Sequence, residues 1–587
     1  MSLLTALFRG GWLRNVDHSL AKTLLRLRPD TPDLVLAAAA LASRAVANGH
    51  SRLPLRLVED LLREIGSERE PPELPPLEDW LTVLRRSPWS DGAVLVLEGD
   101  ALSLRRYWNY ERRLAEALAA RMATVVEAPD ESVVEARIVQ LFDSAASANA
   151  GRHDSTQAAA ARAALTSRFL LLTGGPGTGK TSTVARTLVL FAEQHARGHG
   201  GKLPRMRLAA PTGKAAARLA ESVRENLAAL QAAGSIDAEF AHALPNEAST
   251  LHRLLGWQRG RVAFRHDASH PVPADLVIVD EASMVDLPLM CKLVEAIPMQ
   301  ATLILIGDRD QLPSVETGDV LASLCDASLR NRVHLSIAHR QADDVDVAVL
   351  AALVRDGNDE AAVRGLERDA FRGVAWQQGS DRALADAVLA QALPAYRSVQ
   401  AAADAAAALQ AARAFRVLTA VRDGPAGSLT LNALIGSALD PARRGDGFYV
   451  GRLVLINENS YRHQLFNGDI GVVWPDEFGE LRVWFDAEGG PRAWLPAALP
   501  AHESAFALTV HKSQGSEFTR VLFALPERGA RVLSRELLYT GITRCRREVT
   551  LWAAEDVLRA GIARRAQRWS GLAERLHEAM GTAEART

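Results

Sequence analysis

The chain has 587 residues, several times the roughly 100–200 of one domain, so several domains are expected. Hydrophobic residues make up 48% and charged residues 24%, a balance that excludes disorder as the main state. The 68 basic and 70 acidic residues give a net charge of −2, so total charge gives no sign of a nucleic-acid partner. The three cysteines lie far apart, which argues against a disulfide framework or a zinc site and favours a reducing cytoplasm. No apolar run is long enough to span a membrane.

Residues 1–145 are predicted to form a helical domain without a catalytic motif. Alanine and leucine recur at helical spacing over 20–27 and 34–46, and Thr31-Pro32-Asp33 is a helix-start signal. Residues 59–79 contain eight acids, two arginines and four prolines. This composition predicts an exposed connector, with a partner-binding surface as the alternative.

From residue 169 onward, short apolar runs alternate with helical stretches, which is typical of buried parallel strands and the helices that cover them. We therefore predict two tandem α/β domains, at 146–345 and 346–587. The runs lie at 169–172, 208–210, 276–279, 303–306, 417–419, 506–510 and 521–523. Four further short strands with turn residues between them predict a small β-barrel inserted at about 448–503. These strands are expected at 453–456, 471–474, 481–485 and 493–495.

A phosphate-binding loop is the strongest local motif. Residues 174–181, GGPGTGKT, match the pattern GxxxxGK[ST] directly after a predicted strand and before a predicted helix. Backbone N–H groups and the helix N-terminus bind phosphates, Lys180 reaches the β and γ oxygens of ATP, and the Thr181 hydroxyl can bind Mg²⁺. The alternative is a glycine-rich turn without a ligand. The nucleotide-binding candidates in this loop are Gly174, Gly175, Pro176, Gly177, Thr178, Gly179, Lys180, Thr181 and Ser182.

Two adjacent acids follow the apolar run 276–279, at the carboxyl end of a predicted buried strand. Asp280 is the candidate for binding Mg²⁺, and Glu281 the candidate for polarising the water that attacks the γ-phosphate. Adjacent acids can also cap a helix. Together with the phosphate-binding loop, they predict nucleoside-triphosphate hydrolysis but do not indicate what the hydrolysis drives.

Further segments resemble the motifs of superfamily one helicases and, in their details, those of the RecD lineage. Together with the phosphate-binding loop they follow the order of that family over residues 157–547, roughly two thirds of the chain. These segments are APTGKAA at 210–216, TLHRLLG at 250–256, GDRDQLPSV at 307–315, HRQ at 339–341, LFNGDIG at 465–471, LTVHKSQGSEF at 508–518 and LYTGITR at 538–544.

The resemblance implies two RecA-like motor domains, an SH3-like barrel insertion and an N-terminal partner-binding domain. It implies that Gln311 couples hydrolysis to movement through its amide, with capping of a turn as the alternative. Arg340 and Arg544 are the implied arginine fingers, although His339 stands where family members often carry tyrosine. Gln157 resembles the glutamine that binds adenine, with a solvent-exposed helix residue as the alternative.

DNA contacts are expected from loops that face away from the nucleotide. Hydroxyls, amides and a few cations suit a phosphate backbone that must be released at every step. The candidates are Pro211, Thr212, Lys214, Thr250, His252, Thr509, His511, Lys512, Ser513 and Gln514. Four aromatic or imidazole side chains could stack on bases, although packing within their own domains is the favoured interpretation. They are Trp257, Tyr461, His463 and Phe466.

These features predict an ATP- and Mg²⁺-dependent DNA helicase or single-stranded DNA translocase in the cytoplasm. The RecD resemblance implies 5′→3′ travel and assembly with RecB-like and RecC-like chains as the alpha subunit of exodeoxyribonuclease V, acting on DNA ends in break repair by homologous recombination. Cutting is assigned to a partner chain, because no nuclease motif can be placed. The alternatives are a stand-alone RecD-like helicase, whose helix-hairpin-helix region is not found here, and a nucleotide-binding structural subunit without motor activity.

Overall fold

The computed structural model describes residues 2–66, 70–127, 129–143, 155–258, 260, 263–327, 329–337, 345–441, 447–460, 462–487 and 490–584. Four β-sheets and the helices packed around them make up this part of the chain. None of the described helices is long and apolar enough to cross a membrane.

The N-terminal region consists of helices packed beside a small antiparallel sheet. Its elements are α1 (Leu3–Arg9), α2 (Asn15–Leu27), α3 (Asp33–Ala47), β1 (Leu53–Pro54), α4 (Val58–Ile65), α5 (Leu77–Arg85), β2 (Leu95–Glu98) and β3 (Ala101–Leu104). The strand order is β1-β3-β2, and the β2–β3 hairpin turns at Gly99, whose φ is 60°. The predicted helices are confirmed, whereas the prediction missed the sheet.

Helices α4 and α5 occupy the two ends of the acidic segment 59–79, so the expectation of an exposed connector is wrong there. Apolar side chains recur at helical spacing along α4 and bury one face of it, while Arg63 pairs with Glu59 and Asp60 on the solvent side. The buried residues of α4 are Val58, Leu61, Leu62 and Ile65.

The first motor domain is built on a six-stranded parallel sheet. Residues 105–337 contribute α6 (Arg105–Ala123), α7 (Glu131–Asp143), α8 (Ser155–Thr166), β4 (Phe169–Gly174), α9 (Lys180–Gly198), β5 (Met206–Ala210), α10 (Gly213–Ala232), α11 (Ala238–Ala243), β6 (Ala248–Thr250), α12 (Leu251–Leu254), β7 (Leu276–Val279), α13 (Leu287–Ala296), β8 (Thr302–Gly307), α14 (Val320–Asp326) and β9 (Arg332–Leu335). The strand order is β6-β5-β7-β8-β4-β9. Phe169 and Leu171 face one apolar core while Leu170 and Leu172 face the other, so β4 is buried on both sides.

The second motor domain has a five-stranded parallel sheet in the order β10-β19-β18-β11-β17, with a separate antiparallel sheet inserted in its chain. Residues 347–584 contribute α15 (Val347–Asp356), α16 (Asp359–Glu367), β10 (Val374–Gln377), α17 (Asp381–Gln400), α18 (Ala405–Ala412), β11 (Phe415–Thr419), α19 (Ser428–Leu439), β12 (Leu453–Ile456), β13 (Ile470–Pro475), β14 (Leu481–Phe485), β15 (Arg492–Trp494), β16 (His502–Ser504), β17 (Ala507–Thr509), β18 (Phe518–Ala524), α20 (Arg535–Thr543), β19 (Cys545–Trp552), α21 (Glu555–Ala563) and α22 (Leu572–Glu584). The α/β fold with two parallel sheets is confirmed.

The insertion is an antiparallel sheet in the order β15-β14-β13-β12-β16, with a small apolar core of its own that includes Val454, Val473 and Trp494. Four of these strands coincide with the predicted ones, and β16 was not predicted. Among the described residues no ladder joins the edge strands β15 and β16, so closure into an SH3-like barrel stays a prediction.

The N-terminal region contacts both motor domains. The Gly318 N–H of the first motor donates to the Gly49 carbonyl over 2.8 Å, and Arg568, which follows α21, donates to the Asn48 carbonyl. Helix α7 packs against α8 and α9 of the first motor, whereas α6 packs mainly against α13 and α22 and also contacts β2 and β3. The predicted boundary at residue 145 lies outside the described residues, and we propose that the N-terminal domain ends near residue 104.

Candidate functional site

The phosphate-binding loop joins β4 to the N-terminus of α9. Gly177 and Gly179 have φ values of 76° and 82°, which favour glycine. A Cβ on Gly174 would lie 2.7 Å from Thr178 Oγ1 and 2.9 Å from the Leu335 carbonyl oxygen, so no side chain fits there. The glycines therefore form a cradle in front of the first turn of α9, where helix N–H groups are free to bind an anion.

The other loop candidates line or support this cradle. Lys180 Nζ donates to the carbonyl oxygens of Gly174, at 2.6 Å, and Gly175, at 2.9 Å, so its ammonium lies over the loop. Ser182 Oγ accepts a hydrogen bond from the buried Arg186. Gln157 is buried and its Nε2 lies 3.4 Å from the Thr178 carbonyl oxygen, so the alternative of a solvent-exposed residue is wrong.

The two predicted acids lie at the carboxyl end of β7, beside the loop. Glu281 has a φ of 53°, an uncommon conformation for a residue with a side chain, and its N–H donates to Asp280 Oδ1 over 2.9 Å. Burial and the neighbouring Glu281 raise the pKa of Asp280 to about 6, while Lys180 opposes this rise. Lys180 and Glu281 are therefore both close enough to Asp280 to influence its charge.

Gln311 and Arg544 meet across the cleft between the two motor domains. Gln311 follows β8, and Arg544 caps the C-terminus of α20. Nη2 of Arg544 donates to Oε1 of Gln311 over 2.7 Å, and both side chains are buried. Burial lowers the pKa of Arg544, while Glu281 opposes this effect, so the guanidinium also interacts with the candidate catalytic carboxylate. Gln311 thus contacts the other motor as well as its own turn.

Three cross-cleft contacts were not predicted. The Tyr539 hydroxyl donates to Asp308 Oδ2 over 3.0 Å, and the Leu312 N–H donates to Thr540 Oγ1 over 2.9 Å. Arg218, on α10, donates to the Gly515 carbonyl oxygen over 2.7 Å. Apart from Arg218, these residues lie within the quoted motifs, but no local pattern indicates which of them pair.

Pro211, Thr212 and Lys214 lie at the start of α10, near the insertion. Thr212 caps the helix by accepting from the Ala215 N–H over 3.2 Å. A Cβ on Gly213 would lie 2.7 Å from the Phe466 side chain, so Phe466 packs against this turn of the first motor, whereas packing within its own domain was expected. Burial, together with the nearby Arg416 and Arg218, lowers the pKa of Lys214 to about 7.

The candidates on the second motor follow β17 and are partly occupied by protein contacts. Lys512 Nζ donates to Glu503 Oε1 over 2.6 Å and to Asn457 Oδ1 over 2.9 Å, both on the insertion. Ser513 is buried and donates to the Val510 carbonyl oxygen. Gln514 Nε2 donates across the cleft to the Leu312 carbonyl oxygen, over 3.4 Å. Thr509, the last residue of β17, and His511 precede these residues and are partly buried.

The remaining candidates are dispersed. Thr250 caps α12, and His252 lies edge-on to Phe264 with its pKa lowered by burial. Trp257 is 46% exposed, whereas His463 contacts Ser460 over 2.8 Å. Arg340 and Tyr461 lie outside the described residues.

Three family profiles match successive parts of the chain. The N-terminal domain of the RecBCD enzyme subunit RecD matches residues 9–102, an AAA domain matches 157–317, and the UvrD-like helicase C-terminal domain matches 504–552. The RecBCD enzyme subunit RecD of Mycobacterium tuberculosis is 38% identical over 586 residues, covering 98% of this chain and 96% of that protein. The chain belongs to the RecD family.

Two other relatives match this chain over different shares of their own length. The RecBCD enzyme subunit RecD of Mycolicibacterium smegmatis is 37% identical, with 99% of this chain and 100% of that protein covered. The ATP-dependent RecD2 DNA helicase of Deinococcus radiodurans is 34% identical over 384 residues, which cover 65% of this chain and 46% of that helicase. Among solved structures, a Pif1 helicase on forked DNA aligns over 69% of this chain and 94% of its own, with 16% identity and a TM-score of 0.39.

Proposed function

We propose that this RecD-family chain is an ATP-dependent DNA helicase that moves 5′→3′ along single-stranded DNA as one subunit of a RecBCD-type complex. The observation that carries the proposal is the contact of Arg544 with Gln311 across the cleft beside the phosphate-binding loop. A nucleotide site with residues from both motors is what converts hydrolysis into relative movement of two domains.

The residues of the cradle fit a nucleoside triphosphate with Mg²⁺. Gly174 leaves no room for a Cβ, and Lys180 lies over the loop where β and γ oxygens bind. Thr181 and Asp280 would hold the cation, which supplies charge neutralisation at the phosphates. Among the described residues no three His, Cys, Asp or Glu side chains converge as a metal site, so water and phosphate must supply the other ligands.

The chain's own groups supply the remaining chemistry. Glu281 would orient the attacking water and accept its proton on the carboxylate. Gln311 and Arg544 present an amide and a guanidinium from opposite sides of the cleft, where planar cationic donors stabilise charge on transferred phosphate oxygens. Loss of the γ-phosphate removes the ligand shared by the two motors, so the cleft opens.

Single-stranded DNA would lie across both motors, held by the starts of α10 and α12 and by the segment after β17. Their hydroxyls and amides contact phosphates without reading bases. Alternating closure and opening of the cleft then shifts one set of contacts relative to the other, which moves the chain along the strand.

We infer that RecB-like and RecC-like chains are the partners and that DNA ends are the substrate. The chain matches RecBCD subunits over nearly their full length but spans less than half of the RecD2 helicase, which favours the subunit over the stand-alone form. The three cysteines, Cys291, Cys325 and Cys545, are free and buried, which fits a reducing cytoplasm.

Substitution of Lys180 by Gln tests the nucleotide site. We expect loss of DNA-stimulated ATP hydrolysis by at least about 100-fold, because the cation that contacts the transferred phosphate is removed. Lys202→Gln, at an exposed position after α9, is the matched control and should retain full turnover. Normal hydrolysis by Lys180→Gln would reject the assigned site and favour a structural role.

Polarity and assembly need separate experiments. Duplexes with a single 5′ or 3′ tail should be unwound only from the 5′ tail, and unwinding from the 3′ tail contradicts the polarity. Purification of the chain from its native host should recover RecB-like and RecC-like chains in equal amounts. A fully processive lone monomer would instead establish the stand-alone helicase.

A further inference from the structure

Four buried side chains form a connected network between the two motor domains. Asp308 and Gln311 follow β8 of the first motor, while Tyr539 and Arg544 belong to the C-terminal half and cap of α20 in the second. Oδ2 of Asp308 lies 3.0 Å from the Tyr539 hydroxyl and 3.2 Å from Gln311 Nε2. Gln311 Oε1 lies 2.7 Å from Arg544 Nη2, which completes the connection back to α20.

The chemistry of these groups fixes the orientation of the Gln311 amide. A guanidinium only donates hydrogen bonds, so the oxygen of Gln311 must face Arg544. A carboxylate only accepts, so the NH₂ group must face Asp308. Asp308, as the acceptor of the NH₂ group, therefore favours the amide orientation that presents the oxygen to Arg544.

Tyr539 is the cross-cleft donor that fixes Asp308. The other oxygen of Asp308 accepts a local bond, from the Asp310 N–H over 3.1 Å. Burial and the adjacent Asp308 raise the pKa of Tyr539 well above its ordinary value, so the phenol stays protonated and remains a donor. Its side chain is 4% exposed, and solvent therefore offers little competition.

The same hydroxyl borders the phosphate-binding loop. A Cβ on Gly175 would lie 3.1 Å from the Tyr539 hydroxyl oxygen, a distance that leaves no layer of water between them. Tyr539 thus contacts the four-residue network and the loop at once, and it does so from the second motor.

We propose that Tyr539 is a positioning residue for ATP hydrolysis: its hydroxyl holds Asp308 so that the Gln311 amide is oriented toward Arg544 when the cleft is closed. The proposal deepens the function proposed above and rests on it. Tyr539 acts through Asp308 and Gln311, so its loss should slow the hydrolytic step without weakening nucleotide binding.

Replacement of Tyr539 by Phe removes only the hydroxyl. We expect kcat for DNA-stimulated ATP hydrolysis to fall roughly tenfold or more, the effect of losing one hydrogen bond to a charged group, with KM for ATP within about twofold of wild type. Tyr396→Phe is the matched control, because Tyr396 is equally buried and donates over 2.7 Å to the Phe506 carbonyl oxygen within the second motor alone. The control should retain wild-type kcat.

A double-mutant cycle with Gln311→Ala separates positioning from general destabilisation. If Tyr539 acts through Gln311, the two substitutions together should cost little more in kcat than Gln311→Ala alone. Equal kcat for Tyr539→Phe and Tyr396→Phe, or fully additive losses in the cycle, would overturn the proposal. An inactive wild-type chain would reject the proposed function instead, so the two failures are distinguishable.

Discussion

Nε of Arg575 lies 3.2 Å from Oε2 of Glu111, and this contact joins α22 to α6 across 464 residues of sequence. Glu111 is fully buried, and its other oxygen accepts hydrogen bonds from Ser51, Ser570 and the Gly571 N–H. A buried carboxylate is stable only while its donors surround it. Glu111, on α6 of the first motor, therefore joins Ser51 of the N-terminal region to the start of α22 at the end of the described chain.

Replacement of Glu111 by Gln should destabilise this junction by about 3 kcal/mol, because the new amide places N–H groups against existing donors. We expect an earlier first transition in thermal unfolding and faster proteolysis after α21. Glu116→Gln is the matched control, since Glu116 lies on the same helix in an exposed pair with Arg112 and should change stability by less than about 0.5 kcal/mol. Identical unfolding of the two variants contradicts this role for Glu111.

Strands of the first motor and of the insertion could be predicted because their signal is local. The run at 276–279 coincides with β7 of the first motor, and those at 453–456 and 481–485 coincide with β12 and β14 of the insertion. β19 was missed because its first half, Cys545-Arg546-Arg547-Glu548, is charged and interrupts the apolar pattern. Prolines between α4 and α5 obscured two amphipathic helices, although the apolar spacing of α4 was itself sufficient to predict it.

The site was predictable only where one segment contains the whole pattern. The phosphate-binding loop is contiguous, so its cradle follows from the sequence. The contacts of Tyr539 with Asp308 and of Arg575 with Glu111 join residues hundreds of positions apart, and periodicity carries no information on such pairs. Lys512 was predicted to face DNA, yet nothing in the sequence indicates that Glu503 and Asn457 contact its ammonium.

Replacement of Arg544 by Lys should abolish most ATP turnover. Lysine retains the charge but cannot donate through a planar fork to Gln311 and the transferred phosphate together. We expect kcat to fall by at least about 100-fold, with DNA affinity unchanged. Arg546→Lys, two residues further along the chain in an exposed pair with Glu517, should retain wild-type kcat. Comparable losses in both variants would show that the assay reports on folding rather than on the cleft.

Burial and the nearby Arg416 and Arg218 lower the pKa of Lys214 to about 7, so we expect any DNA contact made by Lys214 to depend on pH. Two weaker influences act on the same pKa: Asp469 raises the pKa of Lys214, and Arg413 lowers it. If Lys214 contacts a phosphate, the bound anion favours the ammonium, so binding takes up a proton above pH 7. Affinity should therefore fall as pH rises through this pKa, by at most about tenfold per pH unit.

Fluorescence anisotropy with a labelled oligonucleotide between pH 6.5 and 8.5 measures this dependence. Burial lowers the pKa values of His252 and His511, so we expect their charge to change less than that of Lys214 over this range. Lys214→Arg, which stays charged, should bind with little pH dependence over the same range. A wild-type profile as flat as that of the arginine variant would exclude Lys214 from the phosphate contact.

Replacement of Glu503 by Gln should strengthen single-strand binding, because it frees Lys512 from its carboxylate partner. One additional phosphate contact steepens the dependence of log affinity on log salt by about 0.7. Glu480→Gln, at an exposed position of the same insertion, is the control and should leave the slope unchanged.

The Nη2 atom of Arg422 also lies 3.7 Å from Glu503 Oε2, so a gain in affinity could come from either cation. Adding Lys512→Gln to the Glu503 variant separates them, and the steeper slope should disappear in the double variant.

The salt dependence of the wild-type protein tests how DNA is held. If the contacts are mainly neutral hydrogen bonds, log affinity should fall only slowly with log salt concentration. A slope equivalent to six or more phosphates would indicate a permanent basic clamp, which a motor that releases DNA at each step cannot use.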